Sequence, residues 1–502
     1  MKPPVILCFT LVALSMAGCG GNTSTSPQKT GGTTGGGETG AGGGTARSSG
    51  AGGMTGTGGA GGSASGGTTG KGGSTGSGGR SASGGASAAG GATGSGGQST
   101  SGGTTGSGGN TSAPDAGTGR DGAAASGGRA SGGAMGTGGI AGAGGSSGTG
   151  GGTSGKLTPQ DAVKLMAPGW NLGNSFDATP NETSWGNPTP SQTLIKAVHA
   201  AGFKLLRLPV GWTDHVGAGP SYTIDSAWMN KVKQTAQWAI DDAMYVFVNI
   251  HHDSDGANGG WVTFPSTTSA AQSIATEVTA VWTQIATAFK SFDSRLMFEC
   301  FNEPNYQGSN NAQSQADLNL YLEACFKAIR DTGGANATRI VMIQPIGASP
   351  IQAGIQAMQK VSFINDPNLV ISLHTYHPTN FGLSTTPYAW GSTSDYTNMQ
   401  NSIAQQIRVW LPTQVIFIGE WGSMAAQATA NRAAHALAYA QDTATAGLVP
   451  IWWDNGGSGS ESFSLFDRNS GAVTQSTIVS GLMTGVKNGL ASPNNWATQA
   501  NP

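Results

Sequence analysis

Eight short apolar segments, each cut off by polar or turn-forming residues, recur between Lys156 and Leu490, and that rhythm limits what the chain can fold into. They are Gly169 to Leu172, Leu205 to Pro209, Tyr245 to Ile250, Leu296 to Phe301, Ile340 to Ile343, Leu369 to Leu373, Val415 to Ile418 and Val449 to Trp452. Each has the length of a buried strand and is too short for a helix. Between several of them, Asp225 to Asp241, Ala270 to Lys290, Gln315 to Arg330 and Ala425 to Thr445 carry apolar residues at helical spacing. Strands that alternate with helices build a parallel sheet, and eight such units predict an α/β fold, the closed (β/α)8 TIM barrel.

The sequence before the barrel cannot build a core. Of 85 glycines, most crowd into the first third, and residues 20–155 are almost entirely Gly, Ser, Thr and Ala. Glycine does not recur at every third position, which excludes collagen, and too little apolar surface is available to offset the entropy of ordering. A flexible linker with an r.m.s. reach of about 60 Å is the expectation. Residues 1–19 read as a secretory signal: Lys2, the apolar run Val5 to Leu14, then small residues. Met16-Ala17-Gly18-Cys19 resembles a bacterial lipoprotein processing site, with Cys19 as the lipidated residue. The barrel domain is assigned to 156–492 and a short tail to 493–502. The protein is expected to be exported as a cell-surface or outer-membrane lipoprotein, or otherwise released outside the cell.

Removal of the signal leaves Cys300 and Cys325 in the body of the domain, too few for a disulfide scaffold. Cys300 faces outward from its strand and Cys325 lies in the following helical segment, so they either meet as a bridge in the strand–helix layer or stay as two buried thiols. The net charge of −2 has no long run of either sign, which argues against a nucleic-acid partner and for a neutral ligand.

Chemistry is expected where strands end. Glu303 follows Asn302 and precedes Pro304, and proline both lacks a backbone donor and biases its predecessor away from helix, so the fourth strand stops there. At equivalent ends lie Arg207, His251-His252, His374-Thr375-Tyr376, Glu420-Trp421 and Trp453-Asp454-Asn455. Two glutamates across a barrel mouth suit glycoside hydrolysis, in which one carboxyl protonates the leaving oxygen and the other attacks the anomeric carbon. Arg207 would keep the attacking carboxylate ionised, Tyr376 would donate to it, and Asn302 would bond the sugar 2-hydroxyl. Glu299, on the same strand face as Glu303, reads as a buried scaffold carboxylate paired with Arg207 or Lys204. A metal reading that joins His251, His252, Asp253, His374 and His377 is set aside, because adjacent residues at a strand end point in opposite directions. Of thirteen tryptophans, Trp185, Trp212, Trp261, Trp421 and Trp453 fall on expected loops or strand ends, where aromatic faces suit sugar rings; Trp228, Trp238 and Trp282 read as core.

These residues resemble glycoside hydrolase family 5 over essentially all of the barrel. Gly169-Trp170-Asn171-Leu172-Gly173-Asn174 and Glu182-Thr183-Ser184-Trp185-Gly186-Asn187-Pro188 are similar to the opening of its subfamily 4, mostly endo-β-1,4-glucanases, licheninases and xyloglucanases. The resemblance implies a retaining mechanism with Glu303 as acid/base and Glu420 as nucleophile. Arg207, His251, Asn302, His374 and Tyr376 would support them, and Trp453, Trp261, Trp212, Trp185 and Asn171 would bind substrate. It also implies a monomer acting on a β-glucan without metal or cofactor. The alternatives are xyloglucan, mixed-linkage glucan, xylan or mannan as substrate, or a surface protein that binds polysaccharide without cleaving it.

Overall fold

The computed structural model describes residues 157–254, 259–306 and 308–494. The assigned signal, Cys19, the linker and all but the first two residues of the tail lie outside them. Eight parallel strands close into a barrel in sequence order: β1 (Gly169–Asn171), β2 (Leu205–Leu208), β3 (Tyr245–Asn249), β4 (Leu296–Glu299), β5 (Val341–Ile343), β6 (Leu369–His374), β7 (Ile416–Trp421) and β8 (Leu448–Trp452). The expected (β/α)8 barrel is therefore present.

The crossovers form because their apolar positions and caps agree. The helix between β2 and β3, α1 (Ser226–Asp241), starts where Asp225 accepts the Ala227 N–H, and it buries Trp228, Met229, Val232, Ala236, Ala239 and Ile240 along one stripe. Helix α2 (Thr268–Ala288) is capped by Thr267 and buries Val278, Val281, Trp282 and Ile285. Helix α3 (Ala312–Asp331), after β4, carries a reciprocal cap between Asn311 and Ser314. Helix α4 (Thr429–Thr445) joins β7 to β8. No helix among the described residues is long and apolar enough to cross a membrane.

Alternation along the strands decides what faces the barrel axis. In register, Arg207 sits beside Phe247, which sits beside Met297, while Asn249 sits beside Glu299. These point inward, so Cys300 points out, toward the helices, where it forms a disulfide with Cys325 of α3. The bridge, and not a pair of thiols, is the outcome. On β7 the alternation is interrupted. Leu373 pairs with Ile418 but His374 with Glu420, and Ile418 pairs with Pro450 but Trp421 with Trp452, so β7 holds one extra residue, Gly419, against both neighbours. A side chain at Gly419 would meet Ser372 Oγ at 2.8 Å and His374 Nε2 at 2.9 Å. Phe417 faces the axis, since it meets Phe247 from the far side of the barrel. Strict alternation would then turn Glu420 out and Trp421 in. The bulge reverses this: Glu420 enters the mouth and Trp421 stacks on Tyr439 of α4, ring centroids 4.0 Å apart.

Two stability predictions follow from this layout. The bridge closes a loop of 25 residues, so the double substitution Cys300→Ala with Cys325→Ala should lower stability by about 3 kcal/mol, read as a fall in the denaturation midpoint; an unchanged midpoint would contradict it. His435 on α4 is buried, which lowers its pKa to about 4. A histidine held below its unfolded value near 6.5 contributes stability that is complete above that pH and lost as pH falls toward 4. The stability margin of the native protein over His435→Gln should therefore shrink between pH 7 and pH 4.5, and a constant margin would contradict it.

Candidate active site

The upper interior of the barrel is a polar layer organised by one guanidinium. Arg207 is fully buried and donates through Nε and Nη2 to Glu299 Oε2 at 2.9 and 2.7 Å. Its Nη1 donates to Glu420 Oε1 at 2.6 Å and to Asn171 Oδ1 at 3.0 Å, and Nη2 also reaches Asn302 Oδ1 at 2.8 Å. Burial works against its charge, but Glu299 and Glu420 outweigh burial and hold its pKa above the ordinary value. Glu299 is in turn bound by Asn249 Nδ2 and Ser372 Oγ, so each strand from β1 to β4, together with β6 and β7, contributes to one network. Glu299 is thus the arginine's partner, and Lys204 instead bonds the Lys164 carbonyl.

Glu420 accepts from Arg207 on one oxygen and from the Tyr376 hydroxyl at 3.0 Å on the other. Burial raises its pKa, opposed by His374 and Arg207. Two donors, one of them a cation, fit the ionised carboxylate. Burial and the charge of Glu420 push the Tyr376 phenol well above its usual range, so it remains a donor. Glu303 is the more open carboxyl, its side chain 22% exposed against 8% for Glu420, and its Oε1 lies 2.7 Å from His374 Nδ1. Burial lowers His374 to about 4 and His251 well below its usual value, so both imidazoles are neutral at pH 7. Carboxylate oxygens of Glu303 and Glu420 and a ring nitrogen of His374 lie within 4.8 Å of one another.

The aromatic residues divide. Trp453 stands half-buried at the mouth, its ring parallel to that of His251 with centroids 5.8 Å apart. Gly173 makes room for it: a side chain there would come within 2.7 Å of the indole. Trp185 is half-buried beside His252, and Trp261, also half-buried, is fixed by a 3.0 Å bond from its Nε1 to Asp253. Trp212 does not face the mouth. It is fully buried, because Asp253 holds its backbone N–H and its indole donates to the Asn249 carbonyl. Asn171 is no substrate contact either: it is buried and bonds the carbonyls of Gly419 and Trp452 as well as Arg207. Trp421 is core on β7. Asn249 and Ser372 were missed in the sequence, although a polar residue inside an apolar strand is the signal that could have found them.

The five residues of the metal reading do not converge. Asp253 is taken up by Trp212, Thr213 and Trp261, and among the described residues His251 and His252 group with Asp177 while His374 groups with Glu303 and Glu420. Nor do His251 and His252 point in opposite directions, since β3 ends at Asn249 and His252 opens a 3-10 turn; the two rings meet edge to face at 4.5 Å. Removing the guanidinium tests the network. Arg207→Ala leaves two buried carboxylates without their cation and should destabilise the domain by about 3–5 kcal/mol. Turnover on soluble glucan should drop by about 10²-fold or more at a temperature where the variant stays folded; retained turnover would refute the organising role.

Comparison with known proteins places this geometry. The profile described as cellulase, glycosyl hydrolase family 5, matches residues 171–459. Endoglucanase B of Clostridium cellulovorans is 36% identical over 328 residues, 62% of this chain and 72% of that protein. A broad specificity endoglucanase from Ruminococcus champanellensis, labelled GH5-4 and solved with bound cellotriose, is similar with a TM-score of 0.60 at 30% identity, covering 65% of this chain and 99% of that one. A family 5 xyloglucanase from Paenibacillus pabuli gives 0.56 at 31% identity, over 64% of this chain and 99% of its own. The matched span contains every residue of the polar layer and both glutamates of the mouth, and the chain belongs to glycosyl hydrolase family 5 as a glycoside hydrolase.

Proposed function

We propose that this protein is a retaining endo-β-1,4-glucanase, with Glu420 as nucleophile and Glu303 as acid/base. The observation that carries the proposal is the approach of the two carboxyl groups, one oxygen of each lying within 4.8 Å of the other, which suits a carboxylate that attacks the anomeric carbon directly, as in retaining glycosidases. The environments fit the division of labour. Glu420, held ionised by Arg207 and Tyr376, forms the bond to the anomeric carbon as the glycosidic C–O bond breaks, and Glu303 gives its proton to the leaving oxygen. In the second half Glu303 takes a proton from water, the water oxygen joins the anomeric carbon, and Glu420 leaves unchanged. With its carbonyl oxygen turned to Arg207, Asn302 has its amide N–H₂ available for the sugar 2-hydroxyl, and Trp453 supplies the face beneath the ring.

Similarity to both a broad specificity endoglucanase and a xyloglucanase supports a β-1,4-glucan backbone and keeps xyloglucan as the second reading. Reducing-end assays on soluble cellulose, barley glucan, xyloglucan, xylan and mannan separate them, with the three glucans cleaved fastest. For the mechanism, a 2-deoxy-2-fluoro cellobioside should leave its glycosyl adduct on Glu420, and Glu420→Ala should lower turnover by about 10⁴-fold or more. An adduct on another residue, seen by peptide mass spectrometry, would sink the assignment.

A further inference from the structure

Trp453 follows β8 and Trp185 follows β1, neighbouring strands, whereas Glu303 follows β4, on the far side of a barrel closed in sequence order. On the β4 side stands Tyr306, the most exposed aromatic among the described residues, at 54%. A lone exposed ring is ordinary on a protein surface. This one is held in place three residues beyond the acid. Its backbone N–H donates to the Glu303 carbonyl at 3.1 Å. Asn305 before it takes a left-handed turn (φ 56°), donates its N–H to the Ser254 carbonyl after β3 at 3.3 Å, and donates its side-chain amide to the Ser309 carbonyl at 2.9 Å. From the other flank Gly347, in the 3-10 turn Ile346–Ala348 after β5, donates its N–H to the Pro304 carbonyl at 2.8 Å. A side chain at Gly347 would lie 3.6 Å from Tyr306 Cδ2, so this turn backs the ring while more than half of the residue stays open.

We propose that Tyr306 is the stacking platform for the leaving half of the glucan chain. This rests on the reading of Glu303 as acid/base. To protonate the glycosidic oxygen Glu303 has to face it. The fragment that departs with that oxygen therefore lies toward the rim of β4 and β5, and the half retained on Glu420 lies over Trp453. A pyranose ring has an apolar face of C–H groups, and an aromatic ring matches it. Because the tyrosine backbone is already tied on both flanks, little further ordering is needed when the sugar arrives. In the second half of the reaction the same platform can hold a sugar in place of water. The acceptor hydroxyl then gives its proton to Glu303, its oxygen joins the anomeric carbon, and Glu420 leaves as the carboxylate.

Protein trapped with a dinitrophenyl 2-deoxy-2-fluoro cellobioside is freed of excess reagent, and its recovery of activity is followed with rising cellobiose as acceptor. Cellobiose should speed recovery of the native protein. Tyr306→Ala should need about tenfold more cellobiose for half of the maximal acceleration, measured against its own recovery without cellobiose, while Tyr306→Phe stays within about twofold of native. Native recovery indifferent to cellobiose, an Ala variant equal to native, or a Phe variant as impaired as Ala would each overturn the platform. A second measurement does not depend on the trapped intermediate. With cellopentaose labelled at its reducing end, Tyr306→Ala should shift cleavage toward cuts that leave fewer sugars on the departing side, and an unchanged pattern would overturn the proposal. If the reagent labels a residue other than Glu420, the mechanistic reading fails while the cleavage pattern still decides the role of Tyr306.

Discussion

The ion pair between Arg207 and Glu299, closed to solvent inside the barrel, is the contact on which the rest of the site depends. Such a pair is a poor source of stability, because the desolvation of both charges offsets most of their attraction and an apolar pair of similar volume would often do as well. Its effect here is positional. Glu299 takes two donors of the guanidinium, and with Asn249 and Ser372 it fixes the plane of the fork. The remaining donors then have set directions, one to Glu420, one to Asn171 and one to Asn302. A single rigid cation thereby sets Glu420, the joint between β7 and β8, and the amide of Asn302 beside Glu303.

The same arrangement explains how two glutamates in one mouth come to differ. Glu420 lies deeper and has a hydrogen-bond donor on each oxygen, while Glu303 lies nearer solvent against a neutral imidazole. Donors stabilise negative charge where they point, so the guanidinium and the phenol favour charge on Glu420. Pairs of titratable groups in unlike surroundings are what acid/base division requires. Here the asymmetry is produced by which strand carries the arginine.

Much of this was readable in the residues because it obeys simple periods. The eight apolar runs and the outward turn of Cys300 follow from strand length and alternation by two, whereas β4 ends at Glu299, short of the stop expected at Pro304. Glu299 as the arginine's partner follows from the same alternation. The failures sit where the period breaks. Trp421 read as a mouth residue because its strand was ended at Ile418, before the bulge at Gly419 carried β7 to Trp421. His251 and His252 read as opposed because strand alternation was extended into a 3-10 turn. Trp212 and Asn171 failed for another reason: a polar or aromatic residue beside a strand end faces the mouth only if nothing deeper claims it, and here Asp253, Arg207 and the Gly419 carbonyl do.

The bulge also shows why the site could not be built on an unbroken barrel. Glu420 has to enter the mouth to meet Arg207, yet the inward positions of β7 below it are set by Phe417, which packs across the axis against Phe247. An unbroken β7 would keep that packing and turn Glu420 into the helix layer, with Trp421 in its place. One extra residue without a side chain reconciles the two, and the crowding of Ser372 and His374 around Gly419 leaves no room for anything larger. The residue that lets Glu420 reach the guanidinium also leaves room for the imidazole that contacts Glu303. The placement of both carboxyl groups therefore depends on a glycine that has no side chain to offer either of them.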